Sequence, residues 1–237
     1  MPKLGVNIDH VATLREARKI LSPDPIAAAK ACMKAGCDSI VCHQREDRRH
    51  IKDKDVAALR KISGMRLNLE MSIAKDIVDF ACLVKPDQAT LVPERRQEIT
   101  TEGGLDATAN LRRIRPVVGA LMRRGIDVSI FINPDMGQVE SSARTGARII
   151  EFHTGVYANA RSREGRRKEL EVIKKAALFA LELGLEVNAG HGLDYENVKA
   201  VAAIKGINEL NIGHSIISRA VFVGIGRAVG EMLEAIR

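Results

Sequence analysis

Imidazole side chains recur where short apolar segments of this sequence end. All six histidines lie at or soon after such points: His10, His43, His50, His153, His191 and His214. Imidazole titrates close to neutral pH, so it can both accept and donate protons during catalysis. A single histidine of this kind is more often structural, but a set gathered at one place predicts an acid–base site.

Three carboxylates stand at comparable positions. Asp9 follows the first apolar segment, Glu70 closes the third, and Glu151 lies inside the sixth. A buried and unpaired carboxylate is costly, so Glu70 has two interpretations. It either forms an ion pair with Arg66 or Arg45, or it is a general base whose pKa is raised by burial. Its position at a segment end favours the general base.

Glycine-containing turns and arginines indicate two anion sites. The sequences NAGHG at 188–192 and NIGHS at 211–215 allow backbone N–H groups to approach a phosphate, and the second leads into a helix. The segment His43–His50 holds three arginines, and Arg15 and Arg18 follow the first apolar segment. These arginines can bind a second phosphate; the alternative for those of the His43–His50 segment is salt bridges with Glu46 and Asp47. Two phosphate sites with acids and bases between them predict an enzyme that joins two phosphorylated molecules.

The segments that must position these residues are short and apolar, as expected for strands buried on both faces of a parallel sheet. Eight are predicted: Leu4–Asp9, Ser39–His43, Arg66–Glu70, Ala89–Glu94, Asp127–Asn133, Ile149–His153, Leu185–Asn188 and Leu210–Gly213. Helices are predicted between them, over approximately 25–35, 53–62, 73–84, 110–124, 136–145, 166–183 and 197–203. A long final helix is predicted from Ser215 towards Arg237.

Eight strand–helix repeats predict an α/β fold, a (β/α)8 TIM barrel with additional helices, filling residues 1–237 as a single domain. The alternative is a doubly wound open sheet, but no G-x-G-x-x-G follows the first strand. In a barrel, the loops after the strands converge on one mouth, which would bring the polar residues together. Pro93–Asp106 is polar and irregular, and is expected to be a lid or a surface excursion.

Composition limits the function classes further. The 237 residues are 46% hydrophobic, no apolar run reaches membrane-spanning length, and the N-terminus is polar, so a cytoplasmic protein is expected. The net charge of +7 would attract nucleic acid or small anions. Aromatic residues make up 3% and tryptophan is absent, which disfavours stacking on single strands and makes a nucleic-acid partner improbable.

Two further patterns narrow the chemistry. No lysine closes any predicted strand, which argues against an aldolase that works through a Schiff base. The sequence has no H-x-H or H-E-x-x-H, and its four cysteines fit neither zinc nor iron–sulfur spacing well, so neither a hydrolytic zinc site nor an iron–sulfur cluster is indicated. A phosphosugar isomerase or lyase, with one phosphate site, remains the alternative enzyme.

The sequence resembles the pyridoxine 5′-phosphate synthase family. The resemblance runs in order through almost the whole chain, in the stretches at 5–18, 43–51, 66–71, 91–106, 150–158, 187–193 and 209–217. It implies a (β/α)8 barrel with additional helices, assembled as an octamer and needing no cofactor. The implied reaction condenses 3-amino-2-oxopropyl phosphate with 1-deoxy-D-xylulose 5-phosphate to give pyridoxine 5′-phosphate, inorganic phosphate and water.

The resemblance also assigns roles to individual residues. His43 and Glu70 would accept protons, His191 would donate one, and Glu151 would stabilise a transition state. The aminoketone phosphate would be held by Asn7, Arg18, Gly192, Gly213 and His214. The deoxyxylulose phosphate would be held by Asp9, His10, Arg45, His50 and Thr100.

Overall fold

Eight parallel strands close into a barrel in the computed structural model, which describes residues 1–94 and 103–237. The strands are β1 (Lys3–Asn7), β2 (Ser39–Gln44), β3 (Leu67–Met71), β4 (Gln88–Leu91), β5 (Asp127–Ile132), β6 (Ile149–His153), β7 (Glu186–Gly190) and β8 (Ile207–Ile212). Each strand pairs with the next along the chain, and β8 pairs with β1. The predicted fold class and all eight predicted strands are confirmed, with ends shifted by up to three residues.

Helices surround the barrel. In the described part of the chain they are α1 (Asp9–Arg18), α2 (Pro25–Lys34), α3 (Asp53–Leu59), α4 (Lys75–Val84), α5 (Ala107–Met122), α6 (Met136–Thr145), α7 (Gly155–Ala158), α8 (Arg163–Glu182), α9 (Val198–Ala202), α10 (His214–Val223) and α11 (Ile225–Ala235). Several begin at an N-cap that the sequence shows. The Asp24 carboxylate accepts from the Ile26 N–H, and the Asp135 carboxylate accepts from the Gln138 N–H.

The hydrophobic core lies between the strands and the helices. All six residues of β2 are buried, and so are all five of β6. This pattern agrees with the continuous apolar segments of the sequence, because helices cover the outer face of the sheet and the barrel interior is itself packed.

Two helical predictions need correction. The single final helix is wrong: Gly224 takes φ 81° and ψ 153°, a left-handed backbone that separates α10 from α11. The sequence analysis also missed α1 and α7. His10 lies in the first turn of α1, and His214 begins α10, one residue before the predicted start at Ser215.

None of the helices in the described residues combines the length and the apolar character needed to cross a bilayer.

Candidate active site

A cavity of about 380 Å³ opens at the carboxyl ends of the strands, a size typical of small-molecule sites. Twelve of the fourteen residues proposed from the sequence line it: Asn7, Asp9, His10, His43, Arg45, His50, Glu70, Glu151, His191, Gly192, Gly213 and His214. They come from the ends of β1, β2, β3, β6, β7 and β8 and from the loops that follow. The structure therefore brings together residues as far apart in the sequence as Asn7 and His214.

Asp9 and Glu70 share one hydrogen-bond donor at the mouth. Nδ2 of Asn7 lies 3.1 Å from Oδ2 of Asp9 and 3.5 Å from Oε2 of Glu70. Asp9 also accepts the backbone N–H of His43 at 2.8 Å, which fixes the end of β2 against α1. The predicted alternative of an ion pair between Glu70 and Arg66 is not observed, because Arg66 instead contacts Gln88 and Asp127.

Burial raises the pKa values of both of these carboxyl groups. It raises the pKa of Asp9 to about 7, although the His43 backbone N–H and the Asn7 amide each lower it. Burial also raises the pKa of Glu70 well above its usual value, and the charges of Asp9 and Glu151 act in the same direction. Two acids this close together cannot both ionise cheaply, so near neutral pH they hold at least one proton between them.

Glu151 forms a separate buried pair. Its Oε2 accepts from Nδ2 of Asn211 at 2.7 Å, across the barrel interior from β8 to β6. Burial raises the pKa of Glu151 to about 8, the hydrogen bond from Asn211 lowers it, and the charge of Glu209 raises it. A neutral carboxyl in this position can donate as well as accept a hydrogen bond.

The histidines of the β2 side are neutral. Burial, together with electrostatic interactions with His50 and Arg45, lowers the pKa of His43 to about 3. Burial likewise lowers the pKa of His50 to about 4. The two ring centroids lie 6.2 Å apart. Neutral imidazole has one nitrogen with a free lone pair, so these rings are able to accept protons.

His191 stands on a constrained loop after β7. Its backbone has φ 73°, and that of Gly192 has φ 82°. The hydroxyl of Thr154 stabilises this conformation by donating to the carbonyls of Gly190 and His191 at 2.8 and 2.6 Å. His153 packs against the His191 ring with the centroids 4.9 Å apart. A left-handed non-glycine residue held by such contacts is typical of a functional position.

The loop after β8 has the features expected of the predicted anion site, and its role stays a prediction. Gly213 is the N-cap of α10 and has no side-chain cap, so the first N–H groups of the helix have no side-chain partner there. A side chain on Gly213 would collide with Asn7, because an added Cβ would lie 2.9 Å from the Asn7 Cβ. Gly192, Gly213, His214 and Ser215 all line the cavity.

The arginines separate into two groups. Arg45 lines the cavity and lies 3.6 Å from acids on either side, Asp47 and Glu94. The prediction that Arg15 belongs to the second anion site is wrong. Arg15 is buried and forms a bidentate salt bridge with Asp55, at 2.9 and 2.8 Å. Its charge is neutralised inside the protein, where it joins α1 to α3.

Three further arginines and Thr100 were also candidates for binding phosphate. Arg49 pairs with Asp47, which confirms the salt-bridge alternative for this residue. Arg48 also forms salt bridges, but its partners are Asp53 and Asp76, which were not predicted. Arg18 lies on the exposed end of α1, outside the lining of the cavity, and its role stays a prediction. Thr100 lies outside the described residues.

Sequence reasoning missed three residues of the site. Asn211 closes β8 and binds Glu151, Thr154 holds the His191 loop, and Glu94 is buried beside His43. Asn211 and Thr154 follow the same rule as the others, a polar side chain at a strand end, but an amide or a hydroxyl is a weaker signal than an imidazole.

One group of side chains has the geometry of a cation site. Single ligand atoms of Asp9, His43 and Glu70 all lie within 4.8 Å of one another. Metal binding requires deprotonated carboxylates, and the raised pKa values of Asp9 and Glu70 oppose that state. The residues therefore fit proton transfer better than metal ligation, and the absence of a metal stays a prediction.

Comparisons with known proteins extend over the whole chain. The family model for "Pyridoxal phosphate biosynthesis protein PdxJ" matches residues 4–237. A pyridoxine 5′-phosphate synthase of Synechococcus sp. (strain JA-2-3B'a(2-13)) is 58% identical over 99% of this chain and 98% of its own length. That of Geobacter sulfurreducens is 54% identical over 100% and 99%. Among solved structures, KGPDC from Streptococcus mutans superposes with a TM-score of 0.69 at 15% identity, covering 100% of this chain and 97% of its own, which is a likeness of fold.

Proposed function

This chain belongs to the PdxJ family of pyridoxal phosphate biosynthesis proteins and is an enzyme of vitamin B6 biosynthesis, and from that premise we propose its substrates and mechanism. The substrates are 3-amino-2-oxopropyl phosphate and 1-deoxy-D-xylulose 5-phosphate. The products are pyridoxine 5′-phosphate, inorganic phosphate and water. No resident cofactor takes part.

The observation that carries this proposal is the composition of the cavity. Three carboxyls with raised pKa values, Asp9, Glu70 and Glu151, share the cavity with five histidines. The proposed condensation needs no nucleophile from the protein, because the amine of one substrate attacks the carbonyl of the other. It does need repeated proton transfers for dehydration, enolisation and ring closure, and each well-placed acid or base contributes about 10²- to 10⁴-fold.

The proton transfers are assigned to four side chains. His43 and Glu70 accept protons, and the neutral state of His43 leaves a lone pair available for this step. His191 donates a proton, and the Thr154 contact fixes the backbone from which its ring projects. Glu151 stabilises charge that develops in the transition state, acting from its hydrogen bond with Asn211.

Two phosphate-binding sites orient the substrates. Gly192, Gly213, His214 and Asn7 are assigned to the aminoketone phosphate; all four line the cavity, and Gly213 begins α10. Arg45, His50, Asp9 and His10 are assigned to the deoxyxylulose phosphate and also line the cavity. The two sets meet where the rings of His10 and His214 lie 5.1 Å apart. Arg18 is also assigned to the aminoketone phosphate, and Thr100 to the deoxyxylulose phosphate.

The proposal includes the location and assembly of the enzyme. We expect a cytoplasmic octamer that binds neither nucleic acid nor membranes. Exposed apolar side chains at the ends of α1 and α10 support self-association, since Leu21 and Phe222 are each 84% exposed. Light scattering should give about eight times the chain mass of 25.9 kDa.

The decisive experiment supplies purified protein with both phosphates and follows the pyridine chromophore together with phosphate release. The reaction should require both substrates and survive treatment with a chelator. Consumption of one substrate alone, or loss of activity on chelation, would favour a phosphosugar isomerase or lyase instead. A salt-sensitive shift of random-sequence DNA would favour a nucleic-acid binder.

A further inference from the structure

Glu94 is a buried carboxylate at the cavity mouth for which the proposed mechanism has no role. It lies three residues beyond the end of β4, and its side chain is 5% exposed. One of its oxygens, Oε1, accepts the backbone N–H of Glu46 at 2.8 Å and lies 3.6 Å from Nε of Arg45. These contacts fix the orientation of the carboxylate and leave its second oxygen for another partner.

That second oxygen faces His43. Oε2 of Glu94 lies 3.9 Å from Nε2 of His43, and the His43 side chain is 8% exposed. Among the described residues neither atom has a hydrogen-bond partner, and neither has appreciable solvent-exposed surface. A buried polar atom without a partner destabilises the folded state, because it has given up its hydrogen bond to water. An approach of roughly 1 Å would pair both atoms at ordinary hydrogen-bond distance.

This contact determines which nitrogen of His43 can act as a base. A carboxylate oxygen only accepts, so the nitrogen opposite it must carry the proton. With the proton on Nε2, the lone pair is on Nδ1. Nε2 is enclosed by protein, and therefore Nδ1 is the nitrogen left for substrate.

We propose that Glu94 is a positioning residue for His43: its Oε2 accepts a hydrogen bond from Nε2–H and so holds the imidazole in the tautomer whose Nδ1 accepts a proton. In the step itself, the proton leaves the substrate for Nδ1 and the electron pair of the broken bond stays on the substrate. His43 then carries a positive charge, and the Glu94 carboxylate lies opposite that charge. The role of His43 rests on the proposed function, whereas its tautomer does not.

Other charged groups also surround His43. Asp9 and Glu70 lie beside it in the cavity, His50 is its aromatic neighbour, and Arg45 and Asp47 belong to the loop after β2. Asp47 offers a matched control, because its carboxylate lies 3.6 Å from Nε of Arg45, the same distance as that of Glu94. The two acids therefore differ in their relation to His43 and resemble each other in their relation to Arg45.

The test measures the tautomer by long-range ¹H–¹⁵N correlation in histidine-labelled protein without substrate. The wild type should carry the proton on Nε2. In Glu94→Gln, the amide oxygen should take the place of Oε1, where the Glu46 N–H requires an acceptor, and the amide NH₂ should face His43. Nε2 must then accept, so the proton should move to Nδ1.

Kinetics separate this role from a structural one. Glu94→Gln should lower kcat on the order of 100-fold, the range of a lost general base, and should change KM for deoxyxylulose phosphate by about the same factor as Asp47→Asn, because both acids lie 3.6 Å from Nε of Arg45. Asp47→Asn should leave the tautomer unchanged and should not reproduce the 100-fold loss of kcat. Glu94→Asp, which keeps an acceptor, should retain the Nε2–H tautomer and recover part of kcat.

A wild-type protein with the proton on Nδ1, or a Glu94→Gln variant with an unchanged tautomer, would overturn the proposal. The wild-type measurement needs no variant, so a folding defect cannot obscure it. Failure of the wild type to form the pyridine product would overturn the proposed function and leave the tautomer result intact.

Discussion

Nδ2 of Asn7 lies 3.5 Å from Oε2 of Glu70, and the same nitrogen donates to Asp9 at 3.1 Å. One amide thus connects β1 to β3 over the intervening strand and holds two carboxyls together in a buried site. The proximity of Asp9, together with burial, raises the pKa of Glu70. Glu70 therefore keeps its proton to a higher pH than an exposed carboxyl does.

Replacement of Glu70 by glutamine should abolish turnover, because an amide cannot accept a proton from the substrate. The amide has nearly the shape of the carboxyl and keeps an oxygen for the Asn7 contact, so the cavity should stay intact. Calorimetric binding of each phosphate alone should change by less than about threefold, or 0.7 kcal/mol. Near-normal turnover in this variant would remove Glu70 from the mechanism.

Replacement of Arg45 by alanine should raise KM for deoxyxylulose phosphate by roughly 10- to 100-fold, since a charge-assisted hydrogen bond contributes about 1.5–3 kcal/mol. Its effect on KM for the aminoketone phosphate should be small. Arg49→Ala is the matched control: Arg49 belongs to the same loop, but its side chain is 39% exposed and bound to Asp47. An unchanged KM in Arg45→Ala would assign the second phosphate to another residue.

The sequence predicted the barrel and most of the site because both follow from local pattern. Apolar segments identify the strands, and the convergence of their carboxyl ends places His43, Glu70 and His191 in one cavity. The partnerships were not predictable in the same way. Arg15 has the residue type of an anion site, yet it is neutralised by Asp55 from a helix 40 positions away. Glu94 faces His43 only because β2 and β4 flank β3. Such contacts depend on register and side-chain direction, which composition and spacing do not specify.

Introduction of a methyl group at Gly155 should disturb His191 without touching the substrate. A Cβ there would lie 2.7 Å from Cε1 and Nε2 of His153 and 3.3 Å from Cδ2 of His191. Because His153 is packed against Phe131 on its other side, the strain should pass to His191. Gly155→Ala should lower kcat at least about tenfold and cost about 1–3 kcal/mol in the free energy of unfolding.

The control for Gly155→Ala is Gly230→Ala, inside α11, where an added Cβ meets no atom within 4 Å. Relief of the helix penalty of glycine should stabilise that variant by about 0.5–1 kcal/mol with kcat unchanged. If both variants kept the kcat of the wild type, the packing of His153 would not position the His191 ring.

The buried acids should make the folded protein less stable as pH rises from 6.5 to 8. Glu151 has an unfolded pKa near 4.5 and a folded pKa of about 8, so the folded state binds more protons over this interval and the free energy of unfolding must fall. The buried histidines act in the opposite sense but at lower pH, because the pKa values of His43 and His50 are lowered to about 3 and 4. Their contribution is still rising at pH 6.5, where an unfolded histidine is half protonated, and it levels off about one pH unit higher. The histidines are the same in the wild type and in a Glu151 variant, so the difference between the two declines reports on the acid. Urea unfolding at a series of pH values should show a decline to which Glu151 contributes on the order of 1 kcal/mol.

Glu151→Gln, which cannot ionise, should give a shallower decline, whereas Glu186→Gln, at an exposed carboxylate, should follow the wild type. A decline of equal slope in Glu151→Gln would mean that Glu151 is already ionised at pH 6.5, and it could not then act as the neutral partner of Asn211.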